Sequence, residues 1–218
     1  VLGATGVLLA VTSVHGQGPA PDNVRAANAG RDARQAARGA RLFDDATFGG
    51  NGRTCVTCHT EETGTLSPAQ VASLRPNDPL FQHDAADVLG GNTFNRLRSN
   101  ATFLVEIPLP DNVSLVGSSA RSVIVRRGVP TVDNVPALDP VLMWDGREPD
   151  LQRQALNAWL RHSQITEVPS AADLDAVAAY ERTLFNRDTL EKFAASGAVP
   201  QLPPGRTESE KRGRVWLT

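Results

Sequence analysis

The chain has 218 residues, 40% of them hydrophobic and 21% charged, with a net charge of −2. That length and apolar content are enough for a buried core in one domain, or in one and a half. The near-neutral balance, with no segment resembling an RNA- or DNA-binding module, argues against a nucleic-acid partner.

In chain order, residues 1–14 are apolar but too short to span a bilayer, and a polar stretch rich in Gly, Pro and Asn follows. Residues 1–20 therefore read as a residual secretory signal, cleaved between Gly16 and Ala20. The expected location is periplasmic, without stable membrane insertion; an uncleaved N-terminal anchor is the alternative. An initiator Met and a basic leader are missing, which predicts a sequence that begins inside a longer one. A folded domain is expected over residues 24–198, beginning with a helix at residues 31–43. Arg31, Arg34, Arg38 and Arg41 follow helical spacing there, as a solvated face or as a docking face for an acidic electron-transfer partner. A turn at Gly49-Gly50-Asn51-Gly52 leads into Cys55-Val56-Thr57-Cys58-His59. C-x-x-C-H is the attachment site of a c-type haem: the two cysteines take up porphyrin vinyl groups as thioethers and the histidine binds iron. On a helix, positions 55, 58 and 59 would leave from one face. A zinc site would need further ligands, but His15, His83 and His162 stand far apart. A redox dithiol would want a preceding strand rather than a glycine-rich turn. Both cysteines of the chain belong to this motif, so no disulfide is expected.

Ser67-Pro68-Ala69-Gln70 supplies an N-cap, a proline at the first helical position and a capping-box Gln, opening a short helix to about Leu74. Residues 77–140 form a loop-rich insert. Within it, residues 103–107 and 122–125 are β-branched runs separated by turn formers, which predicts a small hairpin confined to about residues 100–126. Leu151, Ala155, Leu156, Trp159 and Leu160 mark a helix after Pro149. Ser170-Ala171-Ala172-Asp173 caps another, with the stripe Leu174, Val177, Ala178, Leu184 and Phe185. A shorter helix with Leu190 and Phe193 ends at Gly197. Residues 199–206 read as a linker, and Thr207-Glu208-Ser209-Glu210 is a second capping box. The segment from Lys211 to Leu217 repeats the pattern of residues 37–43, a basic residue and Gly followed by bulky apolar residues. Residues 207–218 are thus expected to begin a second cytochrome domain.

Gly39, Leu42-Phe43, Asn51-Gly52 and the haem motif are followed by Arg127, Pro130-Thr131, Trp144-Asp145-Gly146-Arg147, Gln154-Ala155 and residues 180–185 (Tyr-Glu-Arg-Thr-Leu-Phe). In this order they resemble bacterial di-haem cytochrome c peroxidases and their MauG-like relatives, over about residues 34–217. The resemblance implies a mainly α, cytochrome c-like haem domain, the N-terminal and peroxide-reducing half of two such folds packed face to face. It implies a covalent haem c here and a second beyond residue 218. One haem would take electrons from a small donor protein of cytochrome c or cupredoxin type, and the other would reduce hydrogen peroxide.

His59 would be the proximal iron ligand. Trp144 matches the family tryptophan between the haems; without the resemblance it reads as a packed core residue. Arg147 would bond a haem propionate, or pair with Asp145. The sixth iron position falls to His83, in a loop where some relatives supply a removable histidine, to His162, or to Met143, whose thioether would give an electron-transfer haem. Peroxide cleavage needs a group that moves a proton between the two oxygens. The family uses glutamate, whereas this chain offers His162, Gln164 and Glu167, so His162 and Gln164 join Trp144 as catalytic candidates. Gly128 stands where relatives often carry a calcium-binding asparagine, which counts against a calcium site. The other functional class is a mono-haem cytochrome c that only carries electrons. An insert of more than 60 residues is larger than such a carrier needs.

Overall fold

A computed structural model describes residues 22–216, so the expected signal peptide lies outside the described residues. The first helix, α1 (Asp22–Asp45), starts nine residues before the sequence pattern predicts. Ala and Arg dominate it, and both are strong helix formers that need no buried partner. The haem motif follows as a single tight turn, Cys55–Thr57, instead of a regular α-helix. The turn still reaches helical pitch where it matters, because the His59 N–H donates to the Cys55 carbonyl at 3.0 Å.

Helix α2 (Pro68–Ser73) carries the expected reciprocal cap: Ser67 N–H donates to Gln70 Oε1 at 2.8 Å, and Gln70 N–H donates to Ser67 Oγ. Helix α3 (Asn95–Asn100) comes next. The antiparallel strands β1 (Thr102–Pro108) and β2 (Ser122–Gly128) then form the only sheet among the described residues, in register from Thr102 opposite Gly128 to Pro108 opposite Ser122. The second strand runs two residues past the predicted limit. A four-residue helix α4 (Val135–Leu138) precedes α5 (Leu151–Ala158), which Asp150 caps by accepting from Arg153 N–H at 2.7 Å.

The last turn of α5 widens into a π-turn at Trp159–Ser163, closed by Gln164 in the left-handed conformation. Helix α6 (Ala171–Glu181) has the predicted Ser170 cap but stops before Leu184 and Phe185, which the stripe had assigned to it. Helix α7 (Asp188–Ser196) ends on Gly197 at φ +70°, and α8 (Glu208–Val215) carries the second capping box.

Helices α1 and α6 cross where Gly39 lies against α6. A Cβ at Gly39 would stand 1.9 Å from the Ala176 carbonyl oxygen and 2.8 Å from Tyr180 Cβ, so only glycine allows this approach. The edge contact of Phe43 with Tyr180, at 5.4 Å between ring centres, and the Arg38–Asp173 ion pair flank the crossing. Among the described residues the core forms three clusters. One is built on Leu66, Val71, Leu80, Leu97 and Phe103 beside Cys58. The second is built on Phe43, Ala155, Trp159 and Val177 beside Cys55, and the third on Leu142, Leu151 and Ala178 beside Met143. No described helix is long and apolar enough to cross a membrane.

Candidate functional site

The three clusters do not close on one another. Between them lies a cavity of about 1410 Å³ counted to its open mouth, with wall residues from each. One face of the hairpin, Phe103 and Val105 with Arg127 opposite, forms part of the wall, as the two-residue period of a strand dictates.

Cys55, Cys58 and His59 stand together on this wall. Both thiols are free. Burial is the main cause that raises their pKa values, Cys58 to about 11 and Cys55 further, so both are held as neutral thiols. His59 Nδ1 lies 3.1 Å from the Gly64 carbonyl oxygen. A carbonyl only accepts, so Nδ1 carries the proton and Nε2 keeps its lone pair. Burial lowers the His59 pKa, which favours the neutral ring that a metal needs. A backbone carbonyl fixing one nitrogen while the other is left to ligate is the usual support of a metal-bound histidine.

The glycine-rich turn that precedes the motif packs on the π-turn. Asn51 N–H donates to the Ser163 carbonyl at 2.8 Å, and a Cβ on Gly50 would stand 2.2 Å from that same oxygen. His162 projects from the π-turn into the cavity wall. Its carbonyl oxygen accepts from Asn51 Nδ2 at 2.9 Å and Arg53 Nη1 at 3.1 Å. Its Nδ1 lies 2.9 Å from Asp84 Oδ2. Asp84 also pairs with Arg53, which is only 1% exposed: Arg53 Nη1 donates to Oδ2 at 2.9 Å. Oδ1 lies 2.8 Å from Arg53 Nη2 but off the hydrogen-bond axis, so that contact is ionic only. Burial opposes ionisation of Asp84, but hydrogen bonds from His162 and Arg53 and the Arg53 charge outweigh it. Its carboxyl is held well below the ordinary range.

The other candidates divide. Met143 lines the cavity, with Sδ 3.9 Å from Gln154 Nε2. His83 and Gln164 are absent from the wall and contact each other, Gln164 Nε2 lying 3.3 Å from His83 Nδ1. Trp144 lines the mouth, is 66% exposed, and donates from Nε1 to the Gly128 carbonyl at 3.1 Å. The packed-core reading of Trp144 is therefore corrected: this indole lies at the surface. Asp145 bridges Arg147 at 2.7 Å and Arg127 at 3.2 Å, with both guanidinium groups on the cavity wall.

Sequence reasoning missed Arg53, Asp84 and the cavity-facing Glu181. Glu181 is 4% exposed, its Oε2 has no hydrogen-bond partner among the described residues, and burial raises its pKa to about 8. Trp159 Nε1 is likewise buried without a partner at the wall. Nothing local in the sequence marks Arg53 or Asp84, although Asp84 adjoins the singled-out His83.

A helix-framed cavity with two free thiols and an imidazole offering Nε2 on one turn fits a covalently attached haem. The fold and the site define a c-type haem protein. A family described as di-haem cytochrome c peroxidase matches residues 33–184, and the chain belongs to that family. No curated protein and no solved structure matches it. The family implies haem c as cofactor and hydrogen peroxide as substrate.

Proposed function

We propose that this chain contains the peroxide-reducing haem unit of a periplasmic di-haem cytochrome c peroxidase-like enzyme. Its electrons would come from a small donor protein of cytochrome c or cupredoxin type. The observation that carries the reading is the single turn bearing Cys55, Cys58 and His59 on the cavity wall, with His59 Nδ1 committed to the Gly64 carbonyl. Cys55 and Cys58 would hold the haem covalently, and His59 Nε2 would bind its iron. The bound haem supplies an iron that exchanges electrons with peroxide.

The chain's own residues do the rest. Arg147 and Arg127 offer cationic donors at the mouth for the haem carboxylates. His162 is the titratable side chain best placed to hold or move a proton beside the substrate. Trp144, exposed at the mouth, offers an aromatic ring for electron passage from a second haem unit. The reading of residues 207–218 as the start of that unit is supported by α8. Its Gly213 has open space where a Cβ would stand, and Trp216 just after it is 88% exposed.

One observation favours the simpler carrier: Met143 also lines the cavity. A thioether on the sixth position would close the iron to peroxide. The test is expression in a host that matures c-type cytochromes. The reading expects haem colour that survives acid–acetone extraction, is lost in Cys55→Ser/Cys58→Ser, and accompanies cyanide binding by the ferric protein. Complete extraction of the colour refutes the covalent site. Retained haem that binds no cyanide and changes its spectrum in Met143→Leu establishes the carrier instead.

A further inference from the structure

His162 is held from two sides by one buried cation. Arg53 donates Nη1 to the His162 carbonyl at 3.1 Å and to Asp84 Oδ2 at 2.9 Å, while that same Oδ2 lies 2.9 Å from His162 Nδ1. Arg53 is itself immobilised by donating Nε to the Pro79 carbonyl at 3.1 Å and Nη2 to the Leu80 carbonyl at 2.7 Å. Backbone and ring of His162 are thus both referenced to one guanidinium, which fixes where the ring points. An ionised carboxylate can only accept, so the nitrogen facing Asp84 must carry the proton. The second nitrogen, Nε2, has no hydrogen-bond partner among the described residues, and His162 is part of the cavity wall. Asp84 itself is buried away from that opening.

We propose that Asp84, clamped by Arg53, is the positioning residue for His162, holding it in the Nδ1–H tautomer so that the Nε2 lone pair faces the haem cavity as a proton acceptor. The inference rests on the reading of the cavity as a haem site. The step it serves is a proton transfer. One O–H bond of a bound hydrogen peroxide breaks, an Nε2–H bond forms, and the imidazolium charge is balanced by the Asp84 carboxylate. The same proton would then return to the outer oxygen as the O–O bond breaks, so that this oxygen leaves as water. The other oxygen leaves as a second water after taking up two electrons, supplied by the haem unit and its donor, and two protons from solvent. Asp84 is not part of the cavity wall and acts only through the His162 ring.

Two readouts test this in the haem-loaded protein. Long-range ¹H–¹⁵N correlation spectra of the reduced protein under carbon monoxide report the His162 tautomer directly. Stopped-flow binding of cyanide to the ferric protein reports proton acceptance, because hydrogen cyanide must lose its proton to bind. The wild type should show Nδ1–H with a bare Nε2. His162→Gln should slow cyanide association about a hundredfold, and Asp84→Asn about tenfold or more. The double variant should be no slower than His162→Gln, since Asp84 acts only through that ring. Asp84→Glu should recover part of the rate. A proton or an iron bond on Nε2 in the wild type overturns the proposal, and that measurement stands even if Asp84→Asn does not fold. An unchanged cyanide rate in folded Asp84→Asn overturns it as well. Failure of the wild type to retain haem after acid–acetone extraction overturns the haem-site reading itself, and with it this assignment.

Discussion

Replacing Gly39 with Ala adds one methyl group to the α1–α6 crossing, where the new Cβ would face the Ala176 carbonyl oxygen at 1.9 Å. Ordinary contact begins near 3.4 Å, so the helices must separate by about 1.5 Å. The obstacle is backbone and cannot rotate aside, which puts the overpacking cost at about 3 kcal/mol, the upper part of the usual range. Alanine returns about 1 kcal/mol through helix propensity, leaving a net loss of about 2 kcal/mol. For a chain of this length that lowers Tm by about 4–8 °C. Gly30 lies on the same helix but meets only the flexible Arg34 guanidinium, at 3.6 Å. There the propensity gain is unopposed, and Gly30→Ala should raise Tm by about 2–3 °C. Thermal melts of the haem-loaded variants by circular dichroism give both numbers. If the two substitutions shift Tm in the same direction, the close-approach argument is wrong. The crossing also matters for the site, because α1 carries Phe43, whose ring centre lies 6.1 Å from that of His59, and α6 carries Glu181.

Glu181 keeps its proton to about pH 8 when folded, against 4.5 for an ordinary Glu. The unfolded chain therefore releases a proton that the folded one retains, and stability should fall as pH rises from about 4.5 to 8, by at most ~1.4 kcal/mol per pH unit. Denaturant titrations across that window should show the slope, and Glu181→Gln should flatten it; an equal slope in both proteins removes Glu181 as its source. Arg53→Lys keeps the charge but not the fork that spans Asp84 and three carbonyls, and should lose roughly 2–3 kcal/mol. A urea midpoint matching the wild type would contradict the clamp described for that guanidinium. Trp144→Ala removes a surface ring, so stability should change by less than about 1 kcal/mol. In a protein containing both haems, flash-photolysis electron transfer should nonetheless slow, and an unaltered rate would separate Trp144 from the electron path.

Much of the fold could be read locally because its signals are local. The Ser67 and Ser170 capping boxes lie within one turn of the helices they start, and the β-branched run after Phe103, bounded by turn formers, declares its strand without reference to a partner. Helix ends were harder to read. Leu184 and Phe185 continue the apolar period of α6, yet the chain leaves the helix after Glu181, and the Leu184 carbonyl accepts from Asn134 N–H at 2.8 Å. Periodicity registers burial and not hydrogen bonding, so it overran. The early start of α1 has the opposite cause: residues 22–30 are mostly polar or small and present no apolar stripe for periodicity to register.

The site divides along the same line, with a sharper consequence. Cys55, Cys58 and His59 are legible because one turn holds all the atoms that a haem needs from the chain on that side. The His162 network is assembled from distant segments. Arg53 is 31 residues from Asp84, and Asp84 is 78 from His162, so no spacing rule connects them. The π-turn compounds this. It adds a residue to one turn of helix, and a helical projection from Leu151 therefore misdirects every side chain from Trp159 to Ser163. Such a turn is tolerable here because Asn51 and Arg53 take up the His162 carbonyl that the widened turn presents; Asn51 lies in the glycine-rich turn that leads into the haem motif, and Arg53 directly follows it. The segment that sets up the legible half of the site is thus also the one that anchors the illegible half. A variant that shortens the turn at residues 49–52 should disturb His162 as strongly as it disturbs haem attachment.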